Sequence, residues 1–109
     1  MENALVEKEV KRIFKILGVK PTLKGYYYWP FAVKEAMRRG EINCRICVHI
    51  YEAVAKKFNI TPSNAERCMR TVTKGFEIRI KKFFEVNLEK ITNKDFLALI
   101  IEKIQERSE

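Results

Sequence analysis

The side chains best suited to chemistry lie in the stretch "VAKKFNITPSNAERCMRTV", residues 54–72, where basic and hydroxyl groups surround a break between two helical segments. Lys56 and Lys57 precede the break, and Arg67 and Arg70 stand about one helical turn apart after it. Arginine carries a planar fork of donors that fits guanine O6 and N7, and lysine neutralises phosphate. These residues indicate recognition of double-stranded DNA.

A helix-turn-helix requires particular residue types at its corner, because its two helices meet at a steep angle. A small residue must lie at the crossing point, and apolar residues must fill the turn and line the inner faces. The sequence supplies such residues in order: Val54, Ala55, Phe58, Ile60, Ala65, Cys68, Met69 and Val72. Asn59 stands in the turn, where its tolerance of the left-handed conformation suits it. Thr61 as N-cap and Pro62 at the first helical position predict where the second helix begins.

With these apolar positions inward, the 3.6-residue period directs a polar set outward from the second helix. That set is Ser63, Asn64, Glu66, Arg67, Arg70, Thr71 and Lys74. Serine and threonine reach phosphates or base edges, while Glu66 accepts from a cytosine amine or orients Arg70 at i+4. Lys56 and Lys57 are placed for backbone phosphates. We expect a helix-turn-helix at about residues 45–75, with its recognition helix, about 62–74, in the major groove.

Helical periodicity dominates the rest of the chain, and capping residues mark the ends of the helices. The first helix is expected at about 3–17, burying Leu5, Val6, Val10, Ile13, Phe14 and Leu17. The second starts between Tyr26 and Pro30, because proline is costly beyond a first turn, and ends at Arg39. Its aromatic opening, "GYYYWPF", is expected to pack in the core.

The third helix is expected at about 43–58, and the last follows a capping box formed by Thr92 and Asp95. Between the recognition helix and Thr92, partial alternation at Phe76, Ile78 and Ile80 leaves both a continued helix and a short strand open. The sequence therefore predicts an all-α fold of five to six helices, forming a single compact domain over residues 1–109.

The composition favours a polyanion as partner. The chain has 109 residues, 47% of them hydrophobic, and a net charge of +8. Residues 45–82 hold nine lysines and arginines against three acidic residues, whereas residues 83–109 hold four against six. The basic excess is therefore densest around the predicted helix-turn-helix. No apolar run reaches the roughly 18 residues that span a bilayer, and the charged N-terminus argues against a signal peptide, so we expect a cytoplasmic protein without membrane partners.

The cysteines and the single histidine do not indicate a metal site. Cys44-x-x-Cys47, with His49 and Cys68, lacks the second paired knuckle that structural zinc prefers. An odd number of cysteines fits free thiols in a reducing compartment. No nucleophile or paired carboxylate accompanies His49, and no phosphate-binding glycine loop is present. We expect no metal, no cofactor and no enzymatic activity.

Three blocks of the sequence resemble a known family. "LGVKPTLKGYYYWPFAVKEAM", "YEAVAKKFNITPSNAERCMR" and "TNKDFLALIIEKI" are similar to successive parts of the C-terminal effector domain of stage zero sporulation protein A, the response-regulator transcription factor that starts endospore formation. The resemblance covers about residues 12–75 and 92–107. It implies an all-helical domain of about six helices that binds promoter DNA, and it assigns recognition-helix contacts to Ser63, Glu66, Arg67 and Arg70.

The resemblance also sets the expected partners. We expect double-stranded DNA, a second copy of the chain on tandem or inverted half-sites, and RNA polymerase. The alternative is a helical protein-interaction module, or an antagonist that keeps the fold without binding DNA. The sequence contains no phosphoacceptor receiver domain, so it is either a stand-alone relative, regulated by another route than aspartyl phosphorylation, or an excised domain.

Overall fold

A computed structural model describes residues 3–40 and 46–107, except for the side chains of Asn3, Ile46 and Cys47. Within these ranges the chain forms six helices and no strand, which confirms the all-α prediction. The helices are α1 (Asn3–Leu17), α2 (Gly25–Arg39), α3 (Ile46–Phe58), α4 (Pro62–Gly75), α5 (Glu77–Phe84) and α6 (Asn93–Arg107). The radius of gyration, 12.7 Å, is close to the roughly 13 Å expected for a compact chain of about 100 residues.

Local signals at helix ends act as the sequence predicted for α1 and α6. Gly18 adopts a left-handed φ of 87°, and the N–H groups of Gly18 and Val19 both donate to the Phe14 carbonyl, which ends α1. At the start of α6, the Thr92 N–H donates to Asp95 Oδ2 at 3.0 Å, and the Asp95 N–H donates to Thr92 Oγ1 at 3.1 Å. The capping box is therefore formed in both directions.

The start of α2 differs from the prediction. The helix begins at Gly25, so Pro30 lies in its second turn rather than its first. The N–H groups of Tyr26 and Tyr27 donate to the carbonyls three residues earlier, those of Leu23 and Lys24, and these 3₁₀-type bonds start the helix one residue before the expected range. Pro30 is buried, and burial of the residues around it offsets the backbone hydrogen bond that its missing N–H removes.

One further expectation is corrected, and one pair of alternatives that the sequence left open is decided. Leu5 is 48% exposed and lies outside the buried stripe of α1, at the edge of the core. The alternating residues after α4 form the short helix α5, with Ile80 buried and Ile78 83% exposed. The alternation of Phe76, Ile78 and Ile80 therefore does not mark a strand. Phe76 is the N-cap of α5, and Ile80 lies on the buried face of that helix.

The core is centred on Trp29, which is fully buried in α2. Its indole Nε1 donates to the Met69 carbonyl at 3.1 Å, and its ring meets Phe96 edge-on with centroids 4.8 Å apart. At the start of the same helix, Gly25 brings α2 against the backbone of α4: a Cβ there would lie 2.8 Å from the carbonyl oxygen of Cys68. The close contact of Gly25 with the α4 main chain and the hydrogen bond from the Trp29 indole together fix α4 against α2.

Across the described residues, none of the helices is both long enough and apolar enough to cross a bilayer.

Candidate nucleic-acid interface

The turn between α3 and α4 has the conformation expected of a helix-turn-helix corner. Asn59 adopts a left-handed φ of 57°, and the Ile60 N–H donates to the Ala55 carbonyl at 3.0 Å. Ile60 is half-buried and packs against the core, as the sequence predicted. The reversal of the chain is therefore closed by backbone bonds and an apolar contact.

The start of α4 is set by Thr61 and Pro62. Thr61 has extended backbone angles, and its Oγ1 accepts a hydrogen bond from the Asn64 N–H at 3.1 Å. Pro62 occupies the first turn, where its missing N–H costs nothing. These two residues fix the first turn of α4, which carries Ser63 and Asn64.

The inward face of α4 is buried as predicted at Ala65, Met69 and Val72. Cys68 is half-buried beside the start of α2. On α3, Val54 and Ala55 are buried, while Phe58 is half-buried and packs against Tyr28, with the ring centroids 4.7 Å apart and the rings tilted by 48°. Desolvation by burial raises the pKa of Tyr28, with a smaller effect from Cys68, so this phenol is a neutral part of the packing behind α4.

The outward face of α4 forms a polar ridge that the rest of the described chain leaves uncovered. Five of its residues are exposed and two, Asn64 and Glu66, are half-buried. Lys56 and Lys57 on α3 are exposed as well. We call this surface the α4 ridge; its members are Ser63, Asn64, Glu66, Arg67, Arg70, Thr71 and Lys74.

Both arginines of the α4 ridge are oriented by partners one turn earlier. Arg67 Nη2 donates to Asn64 Oδ1 at 2.7 Å, and Arg70 Nη1 lies 3.2 Å from Glu66 Oε1. Thr71 Oγ1 donates to the Arg67 carbonyl at 3.0 Å. Each guanidinium keeps other N–H donors directed to solvent, since each of these contacts uses one nitrogen. The ridge therefore presents two pre-oriented donor groups.

Sequence reasoning missed a residue that anchors α4 from behind. Asn93 is buried at the start of α6, and its Nδ2 donates to Tyr51 Oη at 3.0 Å and to the Glu66 carbonyl at 3.3 Å. Its Oδ1 accepts from Thr73 Oγ1 at 2.7 Å. One amide thus joins α3, α4 and α6. The only available signal was its position next to the capping residue Thr92.

The chain was compared with models of protein families. The model described as "Sporulation initiation factor Spo0A C terminal" matches residues 10–104. The chain belongs to this family. The resemblance expected from the three sequence blocks is thereby confirmed, and the match includes the α4 ridge with Lys56 and Lys57.

The Spo0A C-terminal family is a family of helical, DNA-binding regulatory domains of a sporulation transcription factor, and not an enzyme family. The six-helix fold agrees with it.

Of the three cysteines in this member of the Spo0A C-terminal family, the structure describes the side chain of Cys68. Cys44 and the side chain of Cys47 lie outside the described residues, and His49 is exposed on α3. Cys68 Sγ lies 3.9 Å from Asn64 Oδ1, beneath the α4 ridge. Among the residues that the structure does describe, no three side chains of metal-ligating type gather at one place.

Proposed function

We propose that the protein is a transcription regulator that binds double-stranded DNA sequence-specifically, with α4 lying in the major groove. The observation that carries this proposal is the α4 ridge: a polar helix face, free of intramolecular cover, on an element whose opposite face is buried. The major groove of B-DNA, roughly 12 Å wide, admits an α-helix, and base edges there differ for each pair. Membership of the Spo0A C-terminal family supports the same conclusion.

Residue roles follow from donor geometry. Arg67 and Arg70 are proposed to read guanine O6 and N7 with the N–H groups that Asn64 and Glu66 leave unused. Ser63 lies at the first turn of α4, where its hydroxyl and the helix N-terminus together favour a phosphate oxygen. Thr71 and Lys74 continue the ridge toward base edges and phosphate.

Lys56 and Lys57 at the end of α3 are proposed to hold the DNA backbone beside the groove. Both are exposed, and neither forms an ion pair within the described residues. Such contacts position a domain and raise its affinity for any duplex without reading sequence.

Arg67→Ala is expected to weaken binding to the cognate duplex by about 1–3 kcal/mol and to relax discrimination at one base position. Both effects follow from losing one bidentate contact. The measurement is selection of duplexes from a random pool at about 0.15 M salt, followed by titration of the selected site, because affinity depends on salt. Arg38→Ala is the matched control, since Arg38 is exposed on α2 and is also held by a partner three residues earlier.

Unchanged selectivity in Arg67→Ala would contradict the placement of α4. A protein that bound a cognate sporulation regulator, but no duplex even at low salt, would instead identify the chain as an antagonist that retains the fold.

Lys56→Ala is expected to weaken binding to all duplexes alike and to reduce the slope of log affinity against log salt by about one. One phosphate contact, and the release of the counterion that it displaces, is lost. Lys90→Ala is the control, because Lys90 is an exposed lysine in the connector between α5 and α6. A sequence-dependent loss in Lys56→Ala would place this lysine at a base edge instead.

Assembly on the operator is part of the proposal. A single small helix-turn-helix domain gains useful affinity and specificity from a second copy, so we propose pairing on tandem or inverted half-sites and, at promoters, contact with RNA polymerase. A footprint that extends by one half-site as protein concentration rises is the expected result. A footprint of one half-site at every concentration would contradict pairing.

A further inference from the structure

A cleft of about 460 Å³ lies between α1 and the connector that leads to α2. Its volume falls within the roughly 300–1,000 Å³ typical of small-molecule sites. Five cationic side chains line it, and none of its described lining residues is acidic. The cations are Lys8, Lys11, Arg12, Lys15 and Lys20.

The cations converge because of helical spacing. Residues 8, 11, 12 and 15 lie on one face of α1, and Lys20 approaches from the connector that follows Gly18. Lys11 is paired with Glu7 at 3.1 Å, and Arg12 with Glu9 at 3.2 Å. Within the described residues, Lys8, Lys15 and Lys20 are exposed and have no carboxylate partner.

Helix stability alone does not explain this arrangement. A lysine in the last turn of a helix complements the partial negative charge there, which accounts for Lys15. Lys8 lies two turns earlier, and Lys20 lies beyond the helix, so neither gains from that effect. Three like charges around one concavity repel one another, and an anion between them would relieve the repulsion.

The floor of the cleft is apolar and carries an aromatic ring. We use this name for Val19, Pro21 and Tyr26, the lining residues that are not cationic and carry a side chain. The Tyr26 ring is fixed by Phe14, with centroids 5.8 Å apart, and by Tyr27 in an edge-on contact at 5.2 Å. An immobilised aromatic ring beside an apolar wall is a platform on which a planar group can stack.

We propose that this cleft binds a small ligand that joins a planar ring to two or more phosphate groups, that is, a nucleoside di- or triphosphate. The lysines would bind the phosphates, and the ring would lie on Tyr26 and Pro21. Duplex DNA fits less well, because its bases are stacked internally and present no free ring to the apolar floor. None of the lining residues belongs to the α4 ridge, so the inference does not depend on the proposed DNA binding.

The experiment is titration of the isotope-labelled full chain with ATP, GTP and inorganic pyrophosphate, followed by amide chemical shifts. ATP or GTP is expected to give saturable shifts at Gly18, Val19 and Lys20, with weaker binding of pyrophosphate. The double variant Lys15→Glu, Lys20→Glu is expected to weaken nucleotide binding about tenfold or more, since two charge-assisted contacts are reversed. Lys90→Glu, an exposed lysine in the α5–α6 connector, is the matched control.

Both altered lysines are exposed, so the double variant should remain folded, with only a modest fall in the thermal unfolding midpoint from losing the favourable charge of Lys15 at the end of α1. Three results would overturn the proposal: no saturable shift at millimolar nucleotide, an equal loss in Lys90→Glu, or shifts confined to the α4 ridge. Reduced duplex affinity in the double variant, without nucleotide binding to the unaltered chain, would assign these lysines to the DNA footprint instead. Failure of DNA binding in the Arg67 experiments would leave the nucleotide result unaffected.

Discussion

Trp29→Ala should lower the free energy of unfolding by about 3–5 kcal/mol, the range typical of truncating a large buried aromatic side chain. Trp29 is fully buried, and its ring contacts Phe96 at the centre of the core. The substitution removes apolar burial and leaves a cavity between α2, α4 and α6. Urea unfolding followed by circular dichroism measures the effect, provided that the transition is two-state.

Two variants separate the causes of this loss. Trp29→Phe keeps most of the packing but removes the hydrogen bond to the Met69 carbonyl, so we expect a loss well below that of Trp29→Ala. Tyr27→Ala alters a neighbouring aromatic that is 50% exposed and should cost less still. A loss in Trp29→Ala no greater than in Tyr27→Ala would contradict the central position of the indole.

Asn93→Ala should cost about 2–4 kcal/mol of stability, because three hydrogen bonds, one buried and two partly buried, are lost at roughly 0.5–1.5 kcal/mol each. The amide of Asn93 joins Tyr51, Thr73 and the Glu66 carbonyl, so its removal loosens α4 from both α3 and α6. Native-state hydrogen exchange is expected to show faster opening of α4 amides in the variant, alongside the loss measured in urea.

Asn87→Ala is the matched control, since Asn87 is exposed in the connector before α6 and should change stability by no more than about 0.5 kcal/mol. A loss in Asn93→Ala as small as in this control would show that the three bonds contribute nothing to holding α4.

Much of the fold was predictable because local chemistry and burial agree. Thr61 with Pro62, and Thr92 with Asp95, mark helix starts by side-chain bonds that need no distant partner. Gly18 ends α1 for an equally local reason. The exposure of the α4 ridge followed from periodicity alone, since three buried residues fix which face of a helix meets solvent.

The remaining features depend on contacts distant in sequence. The position of Pro30 predicted a later start of α2. The helix nevertheless begins at Gly25, because burial of Pro30 and its neighbours stabilises the additional turn. Ile78 and Ile80 alternate in the sequence, yet only the packing of α5 determines that one is exposed and the other buried. The position of Asn93 next to Thr92 does not reveal its role, because its partners lie 20 to 42 positions away. Contact of the α4 ridge with DNA remains a prediction.

The close approach at Gly25 bears on how such domains diverge. Since α4 is seated there on main-chain atoms and, deeper in, on the Trp29 indole, its tilt does not depend on the side chains that point toward solvent. If α4 reads DNA as proposed, exchanges at Ser63, Arg67 or Arg70 would alter which operator is preferred while the supporting scaffold keeps its shape. On that proposal, folding and target choice would be governed by separate sets of residues, and regulators built this way would acquire new promoters without first being restabilised.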